Sequence, residues 1–365
     1  MTSLRCYVIT LVFCLLSLSG AVIVPASAQT TEMERRYNTL AARFDGRDKL
    51  LQRDLKSYLQ AFPYTTYQDE VKFMQGVLQV EKGHYKQGLK ILEQVDLKAL
   101  SREHQTDYSF YRGYAYLMQQ EYQRASIYFG QLSKGNNRYS ERGTYYYAYC
   151  MYKQQKYDKA LPALKQLEQN PEYQKTVPYY LVQIYYAQGE YEEVEARANT
   201  LLREHPESLN NGELHRLLGE IYYHKKDYSQ AAEHLRKYRA SFTEQGMELV
   251  RNDMYMLGSA EYQLGEYEEA VRSLKQVKQE EDTLSEATCL TMGNAYVKLN
   301  QPEQAKLSYQ AAANYALTPA ITEEAAYNYT LCTYQSSSAL GESVRAFNDF
   351  LHTFPDSVYG NCSYQ

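Results

Sequence analysis

The sequence predicts an all-α fold, a right-handed superhelical α-solenoid built from antiparallel helix pairs. Two observations lead to this prediction. The segment from Met254 to Val277 has the apolar spacing of two helices separated by one break. The same pattern recurs along the chain at intervals of 34 to 39 residues, which indicates a stacked repeat.

The segment 254–277 is the clearest copy of the repeat. Met254, Gly258 and Tyr262 follow one another at steps of four residues, so they share one helical face. Gly265 can supply the left-handed conformation that ends a helix. In the second helix the apolar residues again step by three and four, through Tyr267, Ala270, Val271, Leu274 and Val277. Because Gly258 and Ala270 are small where the two helices would cross, we expect a tightly closed hairpin.

The best copies contain a small residue, a tyrosine nine residues later and an alanine three residues after that. The anchor residues of the copies lie at positions 76, 113, 148, 182, 219, 258, 293 and 331. A single hairpin of this kind leaves one apolar face uncovered and needs neighbours on both sides. We therefore expect about eight hairpins over residues 68–355.

These copies resemble the tetratricopeptide repeat, whose unit of about 34 residues has Leu-Gly in its first helix and Tyr, Ala and an aromatic residue in its second. The matching residues are Leu218-Gly219, Leu257-Gly258 and Met292-Gly293, then Ala125 with Phe129 and Ala305 with Tyr309, and the closing prolines Pro206 and Pro355. The resemblance implies a protein-interaction fold without catalysis. The junctions also resemble those of exported, periplasmic members of the family in bacteria.

The resemblance further implies that partner peptides bind on an inner wall formed by the first helices. Counting the family's wall positions from the anchors predicts partner-binding residues at Phe110, Tyr114, Arg142, Tyr145, Tyr149, Tyr152, Lys153, Tyr179, Gln183 and Tyr186. The same count continues through Arg216, Glu220, Tyr223, Tyr255, Tyr262, Asn294 and Lys298. Tyrosine suits such a wall because its ring buries area while its hydroxyl keeps a hydrogen-bonding tip. The alternative for any single tyrosine is that it only packs between successive hairpins.

The N-terminus predicts a signal peptide over residues 1–28. An apolar run from Cys6 to Val24 is followed by Ala26 and Ala28, which fit the small-residue rule of signal peptidase. We expect cleavage after Ala28 and export, most plausibly to the periplasm; the alternative is an uncleaved membrane anchor. Residues 29–67 then read as an N-terminal helical cap or a divergent repeat.

Residues 356–365 form a short tail or the start of a truncated further repeat. The stretch Phe354-Pro355-Asp356 resembles a junction into a ninth hairpin, and solenoids usually end in a polar capping helix. The sequence therefore predicts that the chain is a fragment.

The charge of the chain argues against nucleic acid as a partner. The formal net charge is -5, and no stripe of Lys and Arg appears that could neutralise phosphates. The aromatic residues are mostly tyrosines, with 40 Tyr, 10 Phe and no Trp. Tyrosine suits half-buried interfaces between helices, because its ring packs while its hydroxyl reaches water.

Four cysteines follow the signal segment: Cys150, Cys289, Cys332 and Cys362. Stacked hairpins hold most of them too far apart for a disulfide, since the two α-carbons must lie within about 7 Å. We expect free, mostly buried thiols, with Cys332 to Cys362 the least implausible bridge.

No residue pattern supports catalysis, a metal or a cofactor. His215, His224 and His234 are nine and ten residues apart, which places them on different levels of one hairpin and lacks the spacing of a zinc site. Nucleophile and phosphate-binding motifs are also missing from the sequence. We therefore expect no enzyme activity and no cofactor.

The sequence thus favours a non-enzymatic scaffold of the cell envelope that binds other proteins or peptides and associates with envelope or outer-membrane proteins. Two other functions stay open. Tyrosine faces also stack on sugars, which suits a glycan-binding module, and an elongated array can act as an architectural spacer. The identity of the partner and the oligomeric state are left open.

Overall fold

The computed structural model describes residues 26–48, 50–336 and 340–359. Within these residues the chain has eighteen α-helices, one short 3-10 helix and no strand, which confirms the predicted all-α class. Most of the predicted signal peptide and the last six residues, including Cys362, lie outside the described part. Ala26 to Ala28 open the first helix.

The chain divides into two compact units, Met1–Gln169 and Asn170–Gln365. In the first unit, an N-terminal helix pair is followed by three hairpins in which each helix packs on the next. A 3-10 helix, Leu97–Ala99, connects the first two of these hairpins. The helices are α1 (Ala26–Asp45), α2 (Leu51–Ala61), α3 (Gln68–Glu81), α4 (Tyr85–Leu92), α5 (Arg102–Met118), α6 (Tyr122–Leu132), α7 (Ser140–Lys153) and α8 (Tyr157–Leu167).

The second unit contains five hairpins with the same alternation of a first and a second helix. Successive first helices also touch one another, so each hairpin covers the apolar face of its neighbour. The helices are α9 (Val177–Gln188), α10 (Tyr191–Glu204), α11 (Asn211–His224), α12 (Tyr228–Glu244), α13 (Arg251–Gln263), α14 (Tyr267–Leu274), α15 (Thr283–Lys298), α16 (Pro302–Tyr315), α17 (Pro319–Ser336) and α18 (Leu340–Thr353).

The turns inside the hairpins share one backbone device. Seven of the hairpins have a residue with positive φ two positions before the second helix begins, at Gly83, Gln120, Gln155, Gly189, Lys226, Gly265 and Asn300. The left-handed conformation ends the first helix and turns the chain back in three residues. The break predicted at Gly265 is therefore confirmed, and four hairpins make the same turn with a residue that has a side chain.

The close approach predicted at Gly258 is also confirmed. A Cβ atom built there would lie 2.6 Å from Leu274 Cγ and 3.1 Å from the carbonyl oxygen of Ala270. Gly219 stands in the same relation to Leu235 of its own hairpin, with a Cβ–Cγ distance of 2.6 Å. The missing side chain lets the two helices of a hairpin cross in contact.

In two places a buried acidic residue connects a first helix to the start of the next one. Glu70 accepts a hydrogen bond from the Ser101 backbone N–H at 2.8 Å. Glu286, fully buried, accepts from the backbone N–H groups of Leu317 and Thr318 at 3.1 Å and from the Thr322 hydroxyl at 3.0 Å. These carboxylates satisfy backbone donors at a helix start that have no partner inside the helix.

Cys150, Cys289 and Cys332 are buried free thiols, as predicted. Burial raises the pKa of the Cys150 thiol to about 12 and raises the pKa values of the other two. The one bridge that the sequence left open, Cys332 to Cys362, involves a residue outside the described part of the chain. Over the described residues, every helix is too short or too polar to cross a membrane.

Candidate functional site

The predicted partner-binding residues lie on three first helices in two units. α5 and α7 carry seven of them in the first unit, and α9 carries three in the second. A first helix places one face toward its hairpin partner and another toward the next first helix, so only part of its circumference stays accessible. Burial therefore decides which predicted residues can meet a partner.

Phe110 of α5 is buried, with 9% of its surface accessible. Its ring stacks on Tyr139, with centroids 4.1 Å apart and an interplanar angle of 10°. Tyr114, one helical turn later, is half-buried, and its ring lies 6.3 Å from Tyr85 and 6.1 Å from Tyr146. Phe110 thus belongs to the core of the first unit and offers little surface to a partner, whereas Tyr114 keeps part of its surface accessible.

The densest group of accessible tyrosines lies on α7. Tyr145, Tyr149 and Tyr152 are all half-buried and follow one another at steps of four and three residues, so they line one face of the helix. Arg142 and Lys153 are exposed near the two ends of the same helix. Together these five residues form the tyrosine wall of the first unit.

Neighbouring tyrosines hold this wall in place. The Tyr149 ring lies 6.2 Å from that of Tyr122, at an angle of 74°. The ammonium of Lys153 lies 5.9 Å from the centre of the same Tyr122 ring, close enough for a cation–π contact. Tyr152 meets Tyr157 across the hairpin turn at 6.1 Å. The side chains are therefore ordered before any partner arrives, which lowers the entropic cost of binding.

Tyr179 of α9 is buried, with 6% of its surface accessible, and its hydroxyl has no hydrogen-bond partner within the described residues. Gln183, one turn later, is half-buried. Tyr179 lines a cavity of about 300 Å³, together with Lys175, His205, Pro206, Glu207 and Ser208. Like Phe110, it has little surface available to a partner.

Tyr186 of α9 is half-buried, and its hydroxyl hydrogen-bonds to Glu220 of α11. Burial and this carboxylate raise the pKa of the tyrosine. Glu220 Oε2 lies 3.4 Å from a guanidinium nitrogen of Arg216, which also binds Glu213 at 2.9 Å. A third carboxylate also lies near this guanidinium: Asp253 Oδ2, on α13, is 3.7 Å from Arg216 Nη1. We call Glu213, Arg216, Glu220 and Asp253 the Arg216 cluster.

Sequence reasoning named Arg216 and Glu220 on this wall and missed two members of the cluster. Glu213 stands three residues before Arg216, a spacing that brings side chains together on a helix, so this pair could have been found. Asp253 belongs to the next hairpin. Its contact depends on how two first helices pack, which the sequence spacing does not specify.

Two of the histidines do meet, contrary to the prediction that they lie on different levels. The Nδ1 atoms of His215 and His234 are 2.9 Å apart, because α11 and α12 pack face to face. Burial lowers both pKa values, that of His215 to about 4, so the pair is neutral near pH 7. His224 is exposed. No group of three or more His, Cys, Asp or Glu within the described ranges is placed to hold a metal ion.

The geometry defines a class of protein: stacked helical hairpins that present side chains from successive first helices. Family models of the tetratricopeptide repeat match residues 151–210 and 254–282. Over these two segments the chain is similar to tetratricopeptide repeat proteins. No curated protein matches the sequence significantly.

Several solved structures are similar at low sequence identity. A tetratricopeptide repeat protein from Parabacteroides merdae is 13% identical, with a TM-score of 0.44 over 73% of this chain and 98% of that chain. The C-terminal part of a repeat-containing protein from Cytophaga hutchinsonii is 16% identical, with a TM-score of 0.44 over 71% and 98%. The apo quorum sensor NprR from B. thuringiensis is 17% identical, with a TM-score of 0.45 over 89% and 98%.

Proposed function

We propose that this protein is a non-enzymatic scaffold that binds partner polypeptides on the accessible faces of its first helices. The matched repeat family is generally a non-enzymatic protein-interaction fold, which supports the general part of the proposal. The observation that carries the specific part is the tyrosine wall of α7, where three half-buried rings and two exposed cations share one helix. Such rings give contact area at low entropic cost and retain a polar tip.

We further propose that the scaffold works in the bacterial cell envelope after export. The support is the N-terminal sequence, with its apolar run from Cys6 to Val24 and its Ala-x-Ala site. Association with envelope or outer-membrane proteins follows from this location. The bound chain would be an extended segment or a helix of such a protein, and it would make many small contacts with side chains of the first helices.

The test is partner capture by a variant in which Tyr145, Tyr149 and Tyr152 are all replaced by Ala. We expect crosslinking in cells, followed by mass spectrometry, to recover partners with the wild-type chain and to lose them with this variant. Recovery should fall at least about tenfold, because three aromatic contacts are removed from one surface.

The matched control replaces Tyr64 and Tyr334 by Ala; these residues are 98% and 64% accessible and do not belong to α7. This variant should capture partners as the wild type does, and thermal melting should show that both variants fold. Unchanged capture by the α7 variant would contradict the proposed wall. Retention of the wild type on peptidoglycan, with no polypeptide recovered, would instead favour a glycan-binding module.

A further inference from the structure

The two units carry opposite net charge. Residues 1–169 contain 23 Lys and Arg against 16 Asp and Glu, whereas residues 170–365 contain 16 against 28. The second unit is therefore strongly acidic, with a formal charge of -12, although the whole chain carries only -5. A field of this sign attracts cations and repels acidic chains.

The Arg216 cluster concentrates this charge on one wall of the second unit. One guanidinium is shared by three carboxylates, at 2.9 Å from Glu213, 3.4 Å from Glu220 and 3.7 Å from Asp253. Asp253 contacts Arg216 from the buried side, with its side chain 2% accessible. Glu213 and Glu220 are the accessible members, at 32% and 19%. Glu213 accepts from Arg216 through both of its carboxylate oxygens at 2.9 Å. Because one cation faces three carboxylates, the cluster still carries an excess of negative charge.

In the part of the chain that the structure describes, one buried carboxylate oxygen of the cluster lacks a hydrogen bond. Asp253 Oδ2 is buried and receives no hydrogen bond within the described residues. The nearest cation to this oxygen is Arg216 at 3.7 Å, so a further positive charge at the accessible carboxylates stabilises the buried carboxylate through space rather than by direct contact.

One tyrosine contacts an accessible carboxylate, and two more lie on the same first helix or on the next one. Tyr186 of α9 hydrogen-bonds to Glu220. Tyr223, one turn beyond Glu220 on α11, donates its hydroxyl hydrogen to Ser259 Oγ of α13 at 3.1 Å. Tyr255 of α13 is half-buried as well. Carboxylates beside tyrosine rings provide both the ion pairs and the cation–π contacts that ammonium and guanidinium groups require.

We propose that the Arg216 cluster and its tyrosines bind the Lys or Arg side chains of a positively charged, extended segment of a partner polypeptide. This inference rests on the proposed function and adds the chemistry of the partner. The ammonium or guanidinium lies against Glu213 and Glu220, and the tyrosines cover its apolar stem. An acidic segment is repelled from the same wall.

The experiment is a fluorescence anisotropy titration of the full chain with three labelled peptides of equal length, built from alternating Lys-Ala, Ser-Ala and Glu-Ala. The Lys-Ala peptide should bind at least about tenfold more tightly than the Ser-Ala peptide, and the Glu-Ala peptide should not bind. In the variant Glu213→Gln/Glu220→Gln, binding of the Lys-Ala peptide should weaken about tenfold. If this variant does not fold, Glu213→Gln alone, at the more accessible carboxylate, repeats the test.

The matched control is Glu192→Gln/Glu268→Gln, which removes the same charge at exposed positions on α10 and α14. It should bind the Lys-Ala peptide within about twofold of the wild type. An equal loss in the control would overturn the site, because the attraction would then come from the net charge alone. Equal binding of all three peptides would overturn the charge preference while the proposed scaffold function stands. If no peptide binds, the inference fails, and partner capture in cells still decides the proposed function.

Discussion

At the scale of single residues, two kinds of position show how tightly the hairpins are specified. Small residues stand where helices cross, as at Gly258, and buried charged groups stand where first helices meet, as at Asp253. The first kind can be read from the sequence, because the small residue recurs at a fixed distance from the tyrosine. The second kind cannot, because its partners belong to another repeat.

The substitution Gly258→Ala should lower the free energy of unfolding by about 1–3 kcal/mol, because the new methyl group would overlap Leu274 in a packed contact. The matched control is Gly341→Ala in α18, where a Cβ atom meets nothing within 4 Å. That change should be neutral or stabilise by up to about 1 kcal/mol through helix propensity. Urea unfolding followed by circular dichroism measures both, and equal effects of the two changes would contradict the crossing contact.

Asp253 should make stability depend on pH. Its unfolded carboxyl titrates near 3.9, and burial raises the folded pKa to about 6 despite Arg216 nearby, while Glu213, Glu220 and the Tyr238 ring also face it. Between these values the folded state holds a proton that the unfolded state has lost, so stability falls as pH rises from about 4 to 6. The variant Asp253→Asn should lack this slope, a difference of about 1–3 kcal/mol between pH 4 and pH 7. Parallel melting curves of the two proteins at every pH would contradict the assignment.

At the scale of helices and turns, most hairpins begin their second helix at the same position of the repeat. Within the described ranges, six of the eight second helices begin at the tyrosines that define the repeat in the sequence, namely Tyr85, Tyr122, Tyr157, Tyr191, Tyr228 and Tyr267. Helix positions could therefore be predicted closely from one recurring spacing. The accessibility of the wall residues could not be predicted in this way. Phe110 and Tyr179 occupy the same repeat position, and both are buried because a neighbouring first helix or loop covers them.

The left-handed turn position provides a prediction at this scale. Replacing Gly265, which has a φ of 79°, by Ala should destabilise the protein by about 1 kcal/mol, since a side chain is strained in this conformation. The reverse change at the equivalent position, Gln155→Gly with a φ of 58°, should be neutral or mildly stabilising. Chemical denaturation of both variants measures the difference. If Gln155→Gly destabilised the protein and Gly265→Ala did not, side-chain contacts of Gln155 rather than backbone strain would dominate the stability of the turn.

At the scale of the whole molecule, the difference in charge between the units is the feature that composition alone hides. The net charge of -5 looks ordinary until the chain is divided after Gln169. The sequence contains no basic stripe, and the excess of acidic residues in the second unit becomes visible only when the two units are counted separately. The division between units depends on contacts, so the sequence alone could not locate it.

Export can be measured on the whole chain. When the full sequence is expressed in a Gram-negative host, intact-mass spectrometry of the periplasmic fraction should find a chain that begins at Gln29, because signal peptidase cleaves after small residues at the positions of Ala26 and Ala28. A variant with Ala26→Leu and Ala28→Leu should stay uncleaved. Recovery of the full-length wild-type chain from the membrane fraction would favour the anchor instead.

The three buried thiols have a practical consequence for the proposed export to an oxidising compartment. A shielded thiol with a raised pKa reacts slowly with disulfides and oxidants, so these residues should not crosslink the chain to its neighbours while it is folded. Cys150 lies on α7, Cys289 on α15 and Cys332 on α17. The rate at which an alkylating reagent reaches each of them would therefore report how often that particular hairpin opens.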